Sequence, residues 1–533
     1  LPIEPELRGM DRSGLPVDPP PVPQTKPAGF LKNVLWNWLG ISVSIFSAFI
    51  LSPIIIRRLG DEGYGLWALT TSLVEYYWLL DFGMRSATIR FSAHYNARRE
   101  SDQINQVINT TIAYALCLFP LLIGSAWLGA PVLMRVLSIT HPLFRELLFI
   151  VVIAWGLTSL LSVFTSCLEG FQRFDLTTQS TVISIAVRSF GTLALLLKGY
   201  GVVAVAVMTM IGQVLLHLIS YIRMRGVFRE MKITPRFVKL AAFKEMITYG
   251  AHSVVASMAQ RILSQSPPFI IAHFLGAPAV GYYAAPTKVL DYSVETVTRI
   301  GNVSNSRAAQ FASAGQKKEV LELAISANRY SLALFLPLTI FLAVYGPQFL
   351  LVWIKKPYFA GQSAGVLLAL LAGITLGNAA QFNSASILFG IGKHQRFARA
   401  MFVEAALMVA GSIYVLPRYG LVPMAALGSG LMVINRAFIT PWLLTRELET
   451  SYWRFLARVN LPLLAVLPVG GILLALKRFV PGVNWPQLIL AGAVTVLAYL
   501  PIVYACIQPH HRVELRSKLR TYSQRIGVSR APA

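Results

Sequence analysis

Six polar or ionic residues recur at steps of three or four within a largely apolar stretch: Lys288, Asp291, Glu295, Arg299, Asn302 and Ser306. On a helix they fall within an arc of about 60°, so one stripe is ionic while the other faces can meet hydrocarbon or neighbouring helices. Asp291 and Glu295 are like charges one turn apart, an arrangement that raises one carboxyl pKa and suits proton exchange or a bound cation. The competing reading is internal pairing, Lys288 with Asp291 and Glu295 with Arg299, which closes a bundle without touching a ligand.

A second ionic element lies upstream. Glu75, Asp81, Arg85 and Arg90 interrupt a run that is apolar enough to reach across a bilayer. Arg261 sits before Pro267-Pro268 among Gln260, Ser264, Gln265 and Ser266, with no acid near it in its own segment to neutralise it. An arginine beside a broken helix is a candidate anion site, because a guanidinium and freed backbone groups both bind phosphate oxygens. Its alternative is an acid on another helix, or an outward-reaching side chain. The candidates for holding an anionic ligand are therefore Arg85, Arg90, Arg261, Lys288, Arg299 and Arg307. Those for a coupling ion are Glu75, Asp81, Asp291, Glu295 and Glu404, the last also readable as a helix–helix hydrogen-bond partner.

Soluble-enzyme signatures are missing from the sequence. There is no phosphate-cradling glycine loop, no paired-histidine zinc spacing and no nucleophile elbow between a strand and a helix. His217, His252 and His273 stand singly, and Cys117, Cys167 and Cys506 lie in apolar runs. No disulfide framework, metal site or cofactor is expected.

The elements that must carry these residues follow from composition. Of 533 residues 55% are hydrophobic and only 13% charged, with mean hydropathy +0.60, which predicts an all-α polytopic membrane protein. The net charge of +24 is spread between apolar spans rather than on one aromatic-interleaved face, so nucleic acid is not expected as a partner. Counting apolar runs gives about fourteen transmembrane helices, as two six-helix bundles and two extra C-terminal helices. The expected limits are a flexible tail over about residues 1–30, a first lobe over about 31–225 and a basic linker over about 226–242. A second lobe over about 243–448, two further spans within about 449–510 and a basic tail over about 511–533 complete the chain. A removable signal peptide is not expected. Inside loops hold about 26 basic residues and outside loops about 10, so both termini are predicted cytoplasmic.

The two lobes repeat one another. Leu59-Gly60 and Gly63-Tyr64 return as Leu275-Gly276 and Gly281-Tyr282, a period of roughly 216 to 218 residues. Leu168-Glu169-Gly170 with Gln172-Arg173-Phe174 returns as Leu388-Phe389-Gly390 with Gln395-Arg396-Phe397, and Tyr200-Gly201 as Tyr419-Gly420. Pro53 and Pro267-Pro268 predict that each copy breaks its first helix at a similar depth.

The runs LGDEGYGLWALTTSLVEYYWLLDFGMRSATIRFSAHYNARRE and LGAPAVGYYAAPTKVLDYSVETVTRIGNVSNSRAAQFASAGQKKE, with the turn LEGFQRFD, resemble polysaccharide biosynthesis proteins. These are lipid-linked oligosaccharide flippases, of the O-antigen and exopolysaccharide type, in the multidrug/oligosaccharidyl-lipid/polysaccharide exporter superfamily. The resemblance covers about residues 31–507 and implies two pseudo-symmetric bundles that rock between inward-open and outward-open states around a cationic cavity. It also implies a polyprenyl-diphosphate-linked oligosaccharide as the cargo, membrane lipids and polysaccharide assembly and export machinery as partners, and residence in the bacterial inner membrane. In similar flippases, arginines on spans 1, 2 and 8 line the cavity. Here Arg85, Arg90 and Arg299 take spans 2 and 8, but span 1 has no charge between Lys32 and Arg57, which shifts weight to Arg261. A multidrug/cation antiporter of the same superfamily and a membrane polymerase or ligase are the alternatives. The first usually places an acid in its first bundle, and the second needs a sizeable outside loop, which the span pattern does not provide.

Overall fold

The computed structural model describes residues 30–506; inside that range the side chains at 30–35, 37, 251–257, 293, 295–303, 306 and 505–506 lie outside the described residues. Both expected tails also lie outside the described residues. The described elements are all helical. In order they are α1 (Phe30–Tyr77), α2 (Met84–Arg98), α3 (Ser101–Val136), α4 (Leu143–Gly170), α5 (Phe174–Leu197), α6 (Val202–Val227), α7 (Leu240–Leu275), α8 (Ala277–Ser313) and α9 (Lys317–Ile354). They continue as α10 (Pro357–Gly373), α11 (Ala380–Gly390), α12 (Gln395–Tyr419), α13 (Leu421–Met432), α14 (Thr440–Glu447), α15 (Tyr452–Val459), α16 (Val466–Phe479) and α17 (Trp485–Cys506). Among the described residues, 11 helical stretches are long and apolar enough to cross a membrane. The chain is an all-α, multi-pass membrane protein.

The expected proline breaks do not interrupt the helices. α1 runs through Pro53 and turns at Gly60 (φ 74°, ψ 178°), and α7 runs through Pro267 and Pro268. A membrane helix tolerates proline when neighbouring groups take up the freed carbonyl, whereas a backbone with positive φ cannot continue an α-helix. Gly276, which precedes α8, has φ 80° and ψ 176°, so corresponding glycines of the repeat share one conformation that side chains with a Cβ resist. The second span, expected to be continuous over about 64–90, is interrupted: Trp78–Asp81 form a 3₁₀ turn and Phe82 and Gly83 are both left-handed.

Two compact units divide the chain. Among the described residues, the first takes 30–51, Leu73–Met134 and His141–Met258. The second takes Ser52–Ser72, Arg135–Thr140 and 259–506. In the first, Ile104, Ile108, Phe164, Leu168, Met224 and Phe228 form one continuous core cluster.

The segment after α6 is strapped to α3 in that unit. Asn105 donates to the Glu230 carbonyl at 3.0 Å and accepts from the Lys232 N–H at 2.9 Å. One turn on, Asn109 donates to the Lys232 carbonyl at 2.7 Å and accepts from the Thr234 N–H at 2.8 Å. Two buried amides thus pair with an extended backbone as the edge of a sheet would.

In the second unit the repeated motif meets its own copy. Tyr282 donates to one oxygen of Asp61 at 2.9 Å and Lys356, at the head of α10, donates to the other at 2.8 Å. Tyr64 and Tyr282 both set their rings edge-on to Phe359, at 6.0 and 5.0 Å. A Cβ at Gly65 would lie 1.8 Å from the Ala277 carbonyl oxygen, so only glycine permits the approach.

The Asp61 carboxylate is shielded on most sides, with side-chain exposures of 26% for Asp61 and 32% for Lys356, so removing it forfeits a charge-assisted contact of about 1.5–3 kcal/mol. Asp61→Ala is expected to lower the apparent Tm of the purified protein by a few degrees. Lys356→Met should add almost nothing in that background, because both changes delete the same interaction. Fully additive losses would show that the pair is not coupled.

Candidate substrate and coupling sites

The helix break in the first unit sets the geometry of its ionic residues. Met84 opens α2, and the Asp81 carboxylate accepts the Arg85 backbone N–H at 3.2 Å, which caps the new helix. The Arg85 guanidinium meanwhile reaches both oxygens of Glu169, at 3.0 and 3.3 Å, near the end of α4. Neither Asp81 nor Arg85 is a bare charge: one holds a helix start, the other an ion pair. Glu75 is half-buried and engaged with its surroundings.

Glu169 escaped notice as a partner because it lies 84 residues from Arg85. A signal was nonetheless present in the repeat. Where the first copy has Glu169 the second has Phe389, so the acid is not a shared feature of the repeat and has a partner of its own in the first copy.

Arg90, exposed on α2, is different. Its guanidinium lies 4.3 Å from the centroid of Tyr249 and 5.8 Å from that of Phe91. These rings line an open cavity of about 500 Å³ with Lys244, Glu245 and Thr248 of α7. Two cations, a hydroxyl and an aromatic face provide donors for phosphate oxygens and a stacking surface for a sugar. Lys244 and Tyr249 were not apparent from sequence, since nothing local links α7 to α2.

In the second unit, Lys288 and Asp291 approach to 4.0 Å with side chains 60% and 53% exposed, a loose pair that leaves both groups open to a third charge. Arg307 is exposed and Arg261 half-buried and engaged by neighbours. The side chains of Glu295 and Arg299 lie outside the described residues.

Glu404 belongs to a separate buried cluster. It is 4% exposed and accepts a 2.6 Å hydrogen bond from Asn435, while the adjoining Arg436, 8% exposed, donates to Asn378 and, at 2.9 Å, to Gln260 of α7. Asn378 lies in a π-helical turn, Ile374–Ala379, and Asn435 and Arg436 in another, Val433–Ile439. A π turn widens the helix by one residue and often marks a functional position. Here two such turns bring three polar side chains into one knot, with Arg436 Nε and Asn435 Oδ1 still unpartnered among the described residues.

The family model described as polysaccharide biosynthesis protein matches residues 30–303, just over half of the chain. The chain belongs to this family. Among curated members, a candidate O-antigen transporter of Shigella flexneri is 24% identical over 423 residues, covering 78% of this chain and 98% of that protein. An uncharacterized membrane protein of Bacillus subtilis, EpsK, is 21% identical over 513 residues, covering 92% and 98%. Among solved structures, the lipid II flippase MurJ in an inward closed conformation superposes with a TM-score of 0.66 at 13% identity, over 89% of this chain and 98% of that one. An inward-facing multidrug resistance MATE transporter of the MOP superfamily gives 0.64 at 14%, over 76% and 94%. The chain therefore shares the fold of these two solved structures, and the curated relative whose name states a role is a transporter.

Two variant sets separate structural charges from open ones. Glu169→Gln and Arg85→Gln should each destabilise the protein, and the double variant should be no worse than either. Glu404→Ala removes the acceptor of the buried Asn435 amide, a loss of about 1–3 kcal/mol that should lower folded yield in size-exclusion chromatography. Glu404→Gln, which keeps an acceptor oxygen, is expected to recover much of that yield. No recovery would show that the cluster does not depend on this hydrogen bond.

Proposed function

We propose that this protein translocates a polyprenyl-diphosphate-linked oligosaccharide repeat unit from the inner to the outer leaflet of the bacterial cytoplasmic membrane, by alternating access. Both termini face the cytoplasm in this reading, the lobes run over about residues 31–225 and 243–448, and the product feeds polysaccharide assembly and export. The observation that carries the reading is the Arg90–Tyr249–Lys244 pocket, where cations and an aromatic face stand together in a protein of this family. A glycan and a diphosphate cannot cross hydrocarbon unaided, while the isoprenoid tail need not leave it. Arg90 and Lys244 meet the diphosphate oxygens, and Tyr249 offers its ring to the first sugar.

In the second unit, taken by itself, the open pair Lys288–Asp291 and the exposed Arg307 offer cations of their own to an anion. Glu404 is the carboxylate best placed for coupling, since it is buried in a polar cluster that reaches Gln260, an exposed residue of α7. The relatives named as an O-antigen transporter and a lipid II flippase act on cargo of this chemical kind, which agrees with the assignment.

The direct test is reconstitution with a labelled polyprenyl-diphosphate oligosaccharide, following its exposure to a lectin or glycosidase outside the vesicles. Arg90→Ala and Lys244→Ala, inserted normally, are each expected to slow the initial rate by about tenfold or more, the loss of one charge-assisted contact to phosphate. Rates for both within about twofold of the parent would remove the pocket from the pathway.

A further inference from the structure

We infer that the linker between α6 and α7 is a docking strip for anionic phospholipid headgroups, held at headgroup depth by Asn105 and Asn109. Its depth follows from α3. With 36 residues this helix is about 54 Å long against a hydrocarbon core of about 30 Å, so about 12 Å projects beyond the core at each end. Asn105 and Asn109 lie about 6 and 12 Å along the helix from Ser101, within the headgroup layer, and their bonds fix residues 230–234 at the same level. Met231, 8% exposed, plugs into the core beneath and prevents the strap from lifting.

The outward side has the chemistry of an interface. Arg229, Lys232, Arg236 and Lys239 are all exposed, Glu230 is the one acid between Phe228 and Leu240, and none of the four cations forms an ion pair among the described residues. Elsewhere in the chain exposed cations do find carboxylates, as Arg458 finds Glu322 at 2.7 Å and Lys317 finds Glu449 at 2.7 Å. Interleaved with the free cations are Ile233, Val238 and Leu240, exposed by 51%, 40% and 67%. Apolar groups that enter the acyl boundary beside cations that stay with phosphates are what an anionic bilayer surface binds. A soluble acidic partner would be met by the charges but would gain nothing from Ile233 and Leu240. The strip therefore anchors the α6–α7 junction to the inner leaflet, independently of what the protein transports.

The full-length protein in nanodiscs or detergent is titrated with phosphatidylglycerol, cardiolipin and phosphatidylcholine, and binding is read by native mass spectrometry and thermal shift. The parent is expected to favour the anionic lipids by at least a hundredfold. Each surface cation contributes about fivefold, so Lys232→Gln/Arg236→Gln/Lys239→Gln should weaken that preference by on the order of a hundredfold. An equal-charge control, Lys318→Gln/Lys393→Gln/Arg399→Gln, should stay within about threefold of the parent. Equal losses in both triple variants, or an undiminished preference in the linker variant, would overturn the inference. A spin label at Ile233→Cys, read by oxygen and nickel accessibility in phosphatidylglycerol nanodiscs, gives an answer even if the triple variant does not fold. Headgroup depth supports the strip, and a fully aqueous label contradicts it.

Discussion

A charged side chain at bilayer depth needs a counter-charge, a set of hydrogen bonds or water, because hydrocarbon offers none of these and the cost is several kcal/mol per group. This requirement organises the ionic residues of the chain into two kinds. Arg85 with Glu169, and Arg436 with Asn378 and Gln260, are engaged within the protein. Arg90 and Lys288 are satisfied only loosely, by a ring face and by a carboxylate at 4.0 Å. Only the second kind is free to exchange its partner for a ligand.

Departures from regular helix occur where these residues must be aimed. The left-handed pair Phe82 and Gly83 resets the phase of the second span, so that Asp81 caps α2 while Arg85 turns toward α4. Two π turns let Asn378 and Arg436 converge, since a regular helix would carry one of them away by about 100°. The repeated Leu-Gly step supplies a third departure, with its two glycines in the same backbone conformation and Asp61 of one copy bonded to Tyr282 of the other.

Much of this was legible in the residues themselves. Hydropathy announced an all-α membrane chain, and the duplicated motif pointed to the stretches that meet around Asp61. What escaped a linear reading was non-local. Asn105 and Asn109 look like ordinary polar residues at the start of a helix until the backbone of residues 230–234 is laid across them. Proline was over-read as a helix breaker: in a membrane helix its lost hydrogen bond is tolerated, and the bend fell to Gly60 instead. The pairing of Arg85 likewise depended on a turn 84 residues away, although the exchange of Glu169 for Phe389 between repeats hinted at it.

The division between committed and open charges is most directly measured by substituted-cysteine accessibility in a cysteine-free background. Cysteines at Arg90, Thr248 and Lys288 are expected to react rapidly with a charged, membrane-impermeant methanethiosulfonate and to be protected by added lipid-linked oligosaccharide. Cysteines at Asn378 and Asn435 should remain unreactive. Silent positions at Arg90 and Lys288 with labelling at Asn378 and Asn435 would mean that water and cargo reach the other set of charges, and the account would be wrong.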